Sequence, residues 1–283
     1  MNVAIILGLL AALLFGTTDF AARFAVRRTG TLRTIFYGDL AAACIMSGIV
    51  MWRGVPSADL TTWLITIASN LSGLAASACL LRAMATGSLG IVSPIAATYG
   101  GVTALLAAAS GEALHLAGWI GVALTTAGGA TVAKPHQGPK VGPVDHTGAI
   151  FAAAAAILYG TSFWLLGQFV VPMLGAVVPT CSYYVLGTAA SLAFGISVDH
   201  QLRLPSAPAL SLVLGTAILG CGATLVLAYG EITGHVAVVT ALSTLASVVT
   251  VFLARLLLKE KVSISGWIGV TLIVVGLTLL HSG

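Results

Sequence analysis

The chain has 283 residues, of which 58% are hydrophobic and only 7% charged, with a formal net charge of +4. Soluble proteins carry about 25% charged residues, so a soluble fold of this size is excluded. The few cations form no basic stripe interleaved with aromatics, which argues against a nucleic-acid partner.

Long apolar runs alternate with short polar breaks, the pattern of an all-α integral membrane protein in which each span takes roughly 20 apolar residues. Ten spans are predicted. The first five cover 3–24, 33–52, 61–84, 88–109 and 114–133. The opening Met1-Asn2-Val3 has no basic region and no clear cleavage site after it, so the first run reads as a retained helix. Gly54-Val55-Pro56-Ser57 ends the second span and Thr86-Gly87 the third, while Pro94 is expected to kink the fourth. The polar stretch 134–147, with Pro135, Pro139, Gly142 and Pro143, reads as a linker. The remaining spans cover 148–168, 177–198, 208–230, 234–256 and 263–281, with Pro205 and Pro208 before the eighth and Thr233-Gly234 after it. The expected division is therefore 1–133, linker 134–147, and 148–283.

The two parts are alike. Gly118-Trp119-Ile120-Gly121-Val122 returns 148 positions later as Gly266-Trp267-Ile268-Gly269-Val270, each copy six residues after a glutamate, Glu112 and Glu260. Thr86-Gly87 matches Thr233-Gly234 at an offset of 147, and Phe15-Gly16-Thr17-Thr18 resembles Tyr159-Gly160-Thr161-Ser162 at 144. One unit is used twice. Lys and Arg set its orientation: eleven of the twelve lie in or beside the breaks after spans 1, 3, 5, 7 and 9, and only Arg53 lies elsewhere. That bias places both termini outside the cell. Five spans per half, an odd number, make the repeats inverted, which is a transporter arrangement.

These features together resemble the drug/metabolite transporter superfamily, and within it the ten-helix EamA-type branch. The features are two five-helix halves, a threonine-glycine turn after the third helix of each, Glu112 and Glu260 after the fourth, and a fifth helix opening Gly-Trp-Ile-Gly. The resemblance implies a carrier that exports small metabolites, amino acids among them. It also implies a cavity walled by the first, third and fourth helices of each half, with the fifth outside. Two departures stand out. Many relatives end in a basic tail at the cytoplasmic face, whereas this chain ends His281-Ser282-Gly283. Relatives often carry an aromatic near the end of the third helix; Tyr229 fits that place, but Arg82 occupies it in the first half.

With that cavity in view, the expected substrate-binding residues are Phe15, Thr18, Asn70, Ser93 and Tyr99 in the first half, and Tyr159, Trp164, Thr240, Ser243 and Thr244 in the second. Aromatics with scattered hydroxyls and one amide suit a small amphipathic solute, although Ser and Thr also serve helix packing. Three ionisable residues within spans are candidates for coupling or for a substrate charge: Asp19, Asp39 and Arg82. Each has a plainer reading. Asp19 can pair with Arg23 at the interface, Asp39 can pair with Arg33, and Arg82 can snorkel to the surface. In the four-helix multidrug branch a first-helix acid couples drug to proton, and Asp19 is the only first-helix acid here, at shallower depth. Glu112, Glu231, His235 and Glu260 read as turn and interface residues.

Cys44, Cys79, Cys181 and Cys221 lie in apolar runs without a CxxC pair and read as small buried hydrophobes. No phosphate-binding loop, His-Glu-x-x-His or Gly-x-Ser-x-Gly occurs. The chain is thus expected to be no enzyme and to need no cofactor or metal. The reading is a multi-pass carrier of a bacterial inner membrane, exporting an amino acid or similar small molecule. The partners expected are that solute and the lipid bilayer, with one chain sufficient and a dimer open. The alternatives are a proton-coupled drug exporter and a non-transporting membrane scaffold.

Overall fold

The computed structural model describes residues 1–86, 95–113, 115–132, 146–198 and 202–258, and positions 267–269, 271–273, 275, 276 and 279 near the end of the chain. Among these residues there are helices and connecting turns and no strand. The helices are α1 (Asn2–Thr29), α2 (Thr31–Arg53), α3 (Leu60–Thr86), α4 (Tyr99–Ala109), α5 (Leu116–Val132), α6 (His146–Leu165), α7 (Val177–Val198), α8 (Ala207–Glu231), α9 (Val236–Ser243) and α10 (Ala246–Leu258). Six helical stretches among the described residues are long and apolar enough to cross a bilayer, and Tyr99–Ala109, Leu116–Gly128 and Val236–Thr250 are shorter apolar ones. Ile6, Leu64, Leu105, Ile150, Ile218 and Phe252 are all more than 40% exposed. Such an apolar exterior is the surface a bilayer solvates.

The helix ends follow local chemistry. The expected break between spans 1 and 2 shrinks to Gly30, at φ 84, because α1 runs on through Arg27 and Arg28 in its last turn, where cations complement the helix dipole. Asp59 precedes α3 and accepts hydrogen bonds from the Thr62 N–H at 3.1 Å and from the Thr62 hydroxyl, an N-cap arrangement. These bonds hold its carboxyl below the usual range. In α6 the ladder widens into a π turn at Leu166–Val170 before a last turn, Val171–Leu174. Pro172 explains it: its ring offers no N–H and crowds the carbonyl four residues back.

Two expected single spans are interrupted. In span 4 the described residues turn at Ala97–Thr98 before α4 begins, and in span 9 the chain turns at Thr244–Leu245 between α9 and α10. The Thr98 hydroxyl donates to the Ile95 carbonyl at 2.7 Å, and the Thr244 hydroxyl to the Ala241 carbonyl at 2.7 Å. Hydroxyls bonded back to the preceding turn compete with the helical ladder. The turns lie 147 positions apart, the offset that relates the repeats.

Packing joins one half to the other. α1 packs on α8, α9 and α10, α6 packs on α3 and α4, and α2 packs on α7. Small residues bring the backbones together. A Cβ on Gly16 would stand 2.5 Å from the Ala246 carbonyl oxygen and 2.5 Å from Val249 Cβ; a Cβ on Gly160 would stand 3.0 Å from the Tyr99 oxygen and 2.6 Å from Val102 Cβ. The hydroxyl of Thr250 donates to the Gly16 carbonyl at 3.0 Å, and that of Thr103 to the Gly160 carbonyl at 3.0 Å. Each contact in one half thus has its counterpart 144 or 147 positions away. The same holds for the recurring Gly-Trp-Ile-Gly segment. Gly128 abuts Gly269 and Ile273, while Gly276 abuts Gly121 and Thr125, so the fifth spans lie against each other. The cysteines are free; Cys221 is buried, but Cys44 is exposed and Cys79 and Cys181 are half-buried, which corrects the expectation that all four are buried.

Candidate functional site

The interlocked halves leave a cavity of about 460 Å³ between them, within the usual range for small-molecule sites. Its walls come from α1, α2, α3, α4, α6, α7, α8, the Thr244 turn and the start of α10, while no described residue of α5 reaches it. The first, third and fourth helices of each half were expected there; α2 and α7 join them.

One wall is aromatic. Tyr99, Tyr159 and Phe163 have ring centroids 5.5 to 6.1 Å apart, with Tyr159 stacked on Phe163. The Tyr159 hydroxyl meets the Ser77 hydroxyl at 2.7 Å, and that of Tyr99 meets Ser243 at 3.3 Å, so the rings are held at both face and tip. Tyr183 and Tyr184 of α7 also line the cavity and sit edge to face, with the Tyr184 hydroxyl 3.2 Å from Thr224. Two carboxylates accompany these rings. Asp19 lies close enough to act on Tyr99 and Tyr159, and Asp39 on Tyr183 and Tyr184. Asp19 is surrounded by protein yet open to water-sized molecules, because it faces the cavity. Asp39 is half-buried and lies against Gly187, where a Cβ would fall 2.6 Å from its carboxylate. No Lys, Arg or His occurs among the described lining residues.

Polar bonds fix the rest of the wall. Ser69 and Ser162 exchange bonds, each hydroxyl donating to the other's carbonyl at 2.8 Å, which clamps α3 to α6. Asn70, 3% exposed, donates to Ser182 at 2.7 Å and to the Pro179 carbonyl at 3.5 Å, tying α3 to α7.

Of the residues expected from sequence, Phe15, Thr18, Asn70, Tyr99, Tyr159, Thr244, Asp19 and Asp39 line this cavity. Ser243 stands behind Tyr99. Thr240 is buried in α9, off the cavity. Trp164 faces away, packing near Phe169 and donating from Nε1 to Ser110 Oγ at 2.8 Å. Arg82 is exposed at the end of α3 and is not on the lining. Ser93 and Glu260 lie outside the described residues, as does the linker up to position 145; the side chain of Arg23 is also outside the description. Sequence reasoning passed over Ser69, Phe163, Pro179, Thr180, Tyr183 and Thr224. The signal for Phe163 was its place four residues after Tyr159, on the same helix face, and for Tyr183-Tyr184 their aromatic pair inside a span.

Two glutamates sit differently from the expectation of turn and interface residues. Glu112 is half-buried, and both its oxygens lie 3.2 Å from the Ala237 N–H at the start of α9. Burial pushes its carboxyl up, offset by the N–H groups of Ala237 and Val236. Glu231 is only 1% exposed, because the π turn of α6 and the start of α9 close over it.

An apolar exterior around a polar, aromatic interior defines a multi-pass membrane protein with a central solute-sized cavity. The EamA-like transporter family model matches residues 2–133 and again 146–282. The chain belongs to that family, a family of membrane transporters of the drug/metabolite type, and carries its domain twice. A solved structure titled only "Crystal structure of protein" shares the fold, with a TM-score of 0.83 at 19% identity over 98% of each chain. No curated protein matches the sequence.

Proposed function

We propose that the protein is an alternating-access carrier that exports a small, amine-bearing metabolite, amino acids being the first class to test. The observation that carries this reading is the cavity itself: two carboxylates and six aromatic rings with no described basic side chain. A substrate ammonium suits Asp19 or Asp39, and tyrosine faces add cation–π attraction of about 0.5–2 kcal/mol. Asn70, Thr18 and Thr244 offer polar contacts for a carboxylate or hydroxyl on the same solute. Ser243 serves by positioning Tyr99.

In this reading the chain has ten spans arranged as two inverted repeats, 1–133 and 148–283, joined by the linker 134–147. Support comes from the paired contacts of Gly16 and Gly160 and from the paired turns at Ala97–Thr98 and Thr244–Leu245. Rocking of the halves opens the cavity to each side in turn. The Lys and Arg distribution supports an orientation with both termini outside, short loops suit a bacterial inner membrane, and in this reading one chain encloses the whole pathway. A second reading, a proton-coupled exporter of cationic drugs, is favoured by the same pair of carboxylates.

The test is uptake of a labelled amino-acid panel into proteoliposomes, with and without an imposed pH gradient. Saturable uptake that a second amino acid competes away supports the first reading. Uptake of cationic drugs alone, in vesicles shown to hold folded protein, would replace it with the second.

A further inference from the structure

Away from the cavity, α8 ends on Glu231, one of the largest fully buried side chains. Neither of its carboxylate oxygens has a hydrogen-bond partner. Three elements enclose it. Gly167, in the π turn of α6, lies so close that a Cβ there would stand 3.1 Å from the Glu231 carboxyl carbon. Thr240 of α9 brings a hydroxyl that is also buried and makes no hydrogen bond of normal geometry. Glu112, from the loop after α4, is near enough to act on Glu231 electrostatically, but its own oxygens are taken by the Ala237 N–H. Among the described residues the other charged groups at this end are His235, in the turn before α9, the amino group of Met1, which bears on His235, and Arg53, which donates to the Tyr229 hydroxyl at 2.9 Å. α6 contributes no charge to this pocket from Gly167.

A carboxylate enclosed in this way, with only the Thr240 hydroxyl beside it and a second carboxylate nearby, is far too costly to keep ionised without a bound positive charge. The carboxyl must therefore be neutralised by something it binds. We propose that Glu231 and Thr240 form a site for a monovalent cation, a proton or a sodium ion, distinct from the substrate cavity. The carboxylate supplies the charge, the Thr240 hydroxyl a neutral oxygen, and Glu112 a second negative field that favours a cation. α9 begins beside this site and ends at the Thr244 turn on the cavity wall. Given the carrier reading above, occupancy of the site biases the half-helix that leads into the Thr244 turn on the cavity wall; the binding itself does not depend on that reading.

The experiment is thermal unfolding of the purified full chain without substrate. The sodium arm titrates sodium chloride against choline chloride at constant ionic strength. The proton arm runs without sodium from about pH 5.5 to about pH 8.5, above the ordinary carboxyl range. The expected result is a rise in midpoint with one of the two ions that is lost in Glu231→Gln and weakened several-fold in Thr240→Val. Glu112→Gln reports the share of the pH response that belongs to Glu112, and His235 titrates alike in all variants. Wild type and Glu231→Gln responding alike to both ions would overturn the proposal. If Glu231→Gln does not fold, an unaltered response in Thr240→Val overturns it instead. Because no transport is measured, failure here leaves the carrier reading standing, and failure of uptake leaves the ion site standing.

Discussion

Gly16→Ala adds one methyl group to α1 at its crossing with α10. The new Cβ would lie 2.5 Å from both the Ala246 carbonyl oxygen and Val249 Cβ. Neither neighbour is the free end of a flexible side chain, so the helices themselves must part by roughly half an ångström, and the interior is too closely packed to absorb that locally. Overpacking of this kind costs about 1–3 kcal/mol, and separation also weakens the bond from Thr250 to the Gly16 carbonyl. Against this, alanine is favoured over glycine within a helix by about 0.5–1 kcal/mol. Gly48→Ala isolates that gain, because nothing lies within 4 Å of a Cβ there. Gly160→Ala repeats the clash in the other half, against Val102 and the Tyr99 oxygen. Thermal unfolding in detergent, followed by circular dichroism, should show Gly16→Ala and Gly160→Ala melting several degrees below wild type and Gly48→Ala at or above it. Gly16→Ala and Gly160→Ala melting with or above Gly48→Ala would refute the close crossing of the two halves.

Trp164→Phe should lower stability by about 1 kcal/mol through loss of the bond to Ser110, read as an earlier melting midpoint, with the KM for whichever solute is transported unchanged. Asn70→Ala removes the amide that ties α3 to α7 at the cavity wall, and should cost about 1–3 kcal/mol while also raising the KM of transport. Asp59 has a folded pKa below its unfolded one, so its contribution is present above the usual carboxylate range and disappears as pH falls through the lowered value. Asp59→Ala should therefore melt earlier than wild type at neutral pH, with the gap closing on acidification. Glu112 runs in the opposite sense. Its carboxyl is raised, so wild type should lose stability relative to Glu112→Gln as pH climbs above the ordinary carboxyl range.

Membrane character and family could be read from the chain because both rest on patterns that survive without geometry. Apolar runs of bilayer length announce spans, and Gly118-Trp119-Ile120-Gly121 returning at Gly266 announces duplication. Helix interruptions were harder to read. The turn at Thr244–Leu245 lies in a run without Gly, Pro or charge, and the back-bonding of hydroxyls at Ser243 and Thr244 accompanies it. Depth along a helix picked out Phe15, Thr18, Asn70, Tyr99 and Tyr159, which share the cavity. It could not tell which side of the helix Trp164 or Thr240 faces, since both lie at suitable depth but point into packed core. Glu231 was taken for a turn residue because Thr233-Gly234 follows it, and only tertiary closure by α6 and α9 buries it.

The central claim is that one cavity opens to both faces of the membrane. The direct measurement places a single cysteine at Thr18, on the cavity wall, in a chain whose four native cysteines are replaced, and reconstitutes it in oriented vesicles. A membrane-impermeant thiol reagent is then added from one side at a time. Labelling of position 18 from either side, with the balance moved by transported solute, is the predicted result. Labelling from one face alone under every condition would contradict alternating access.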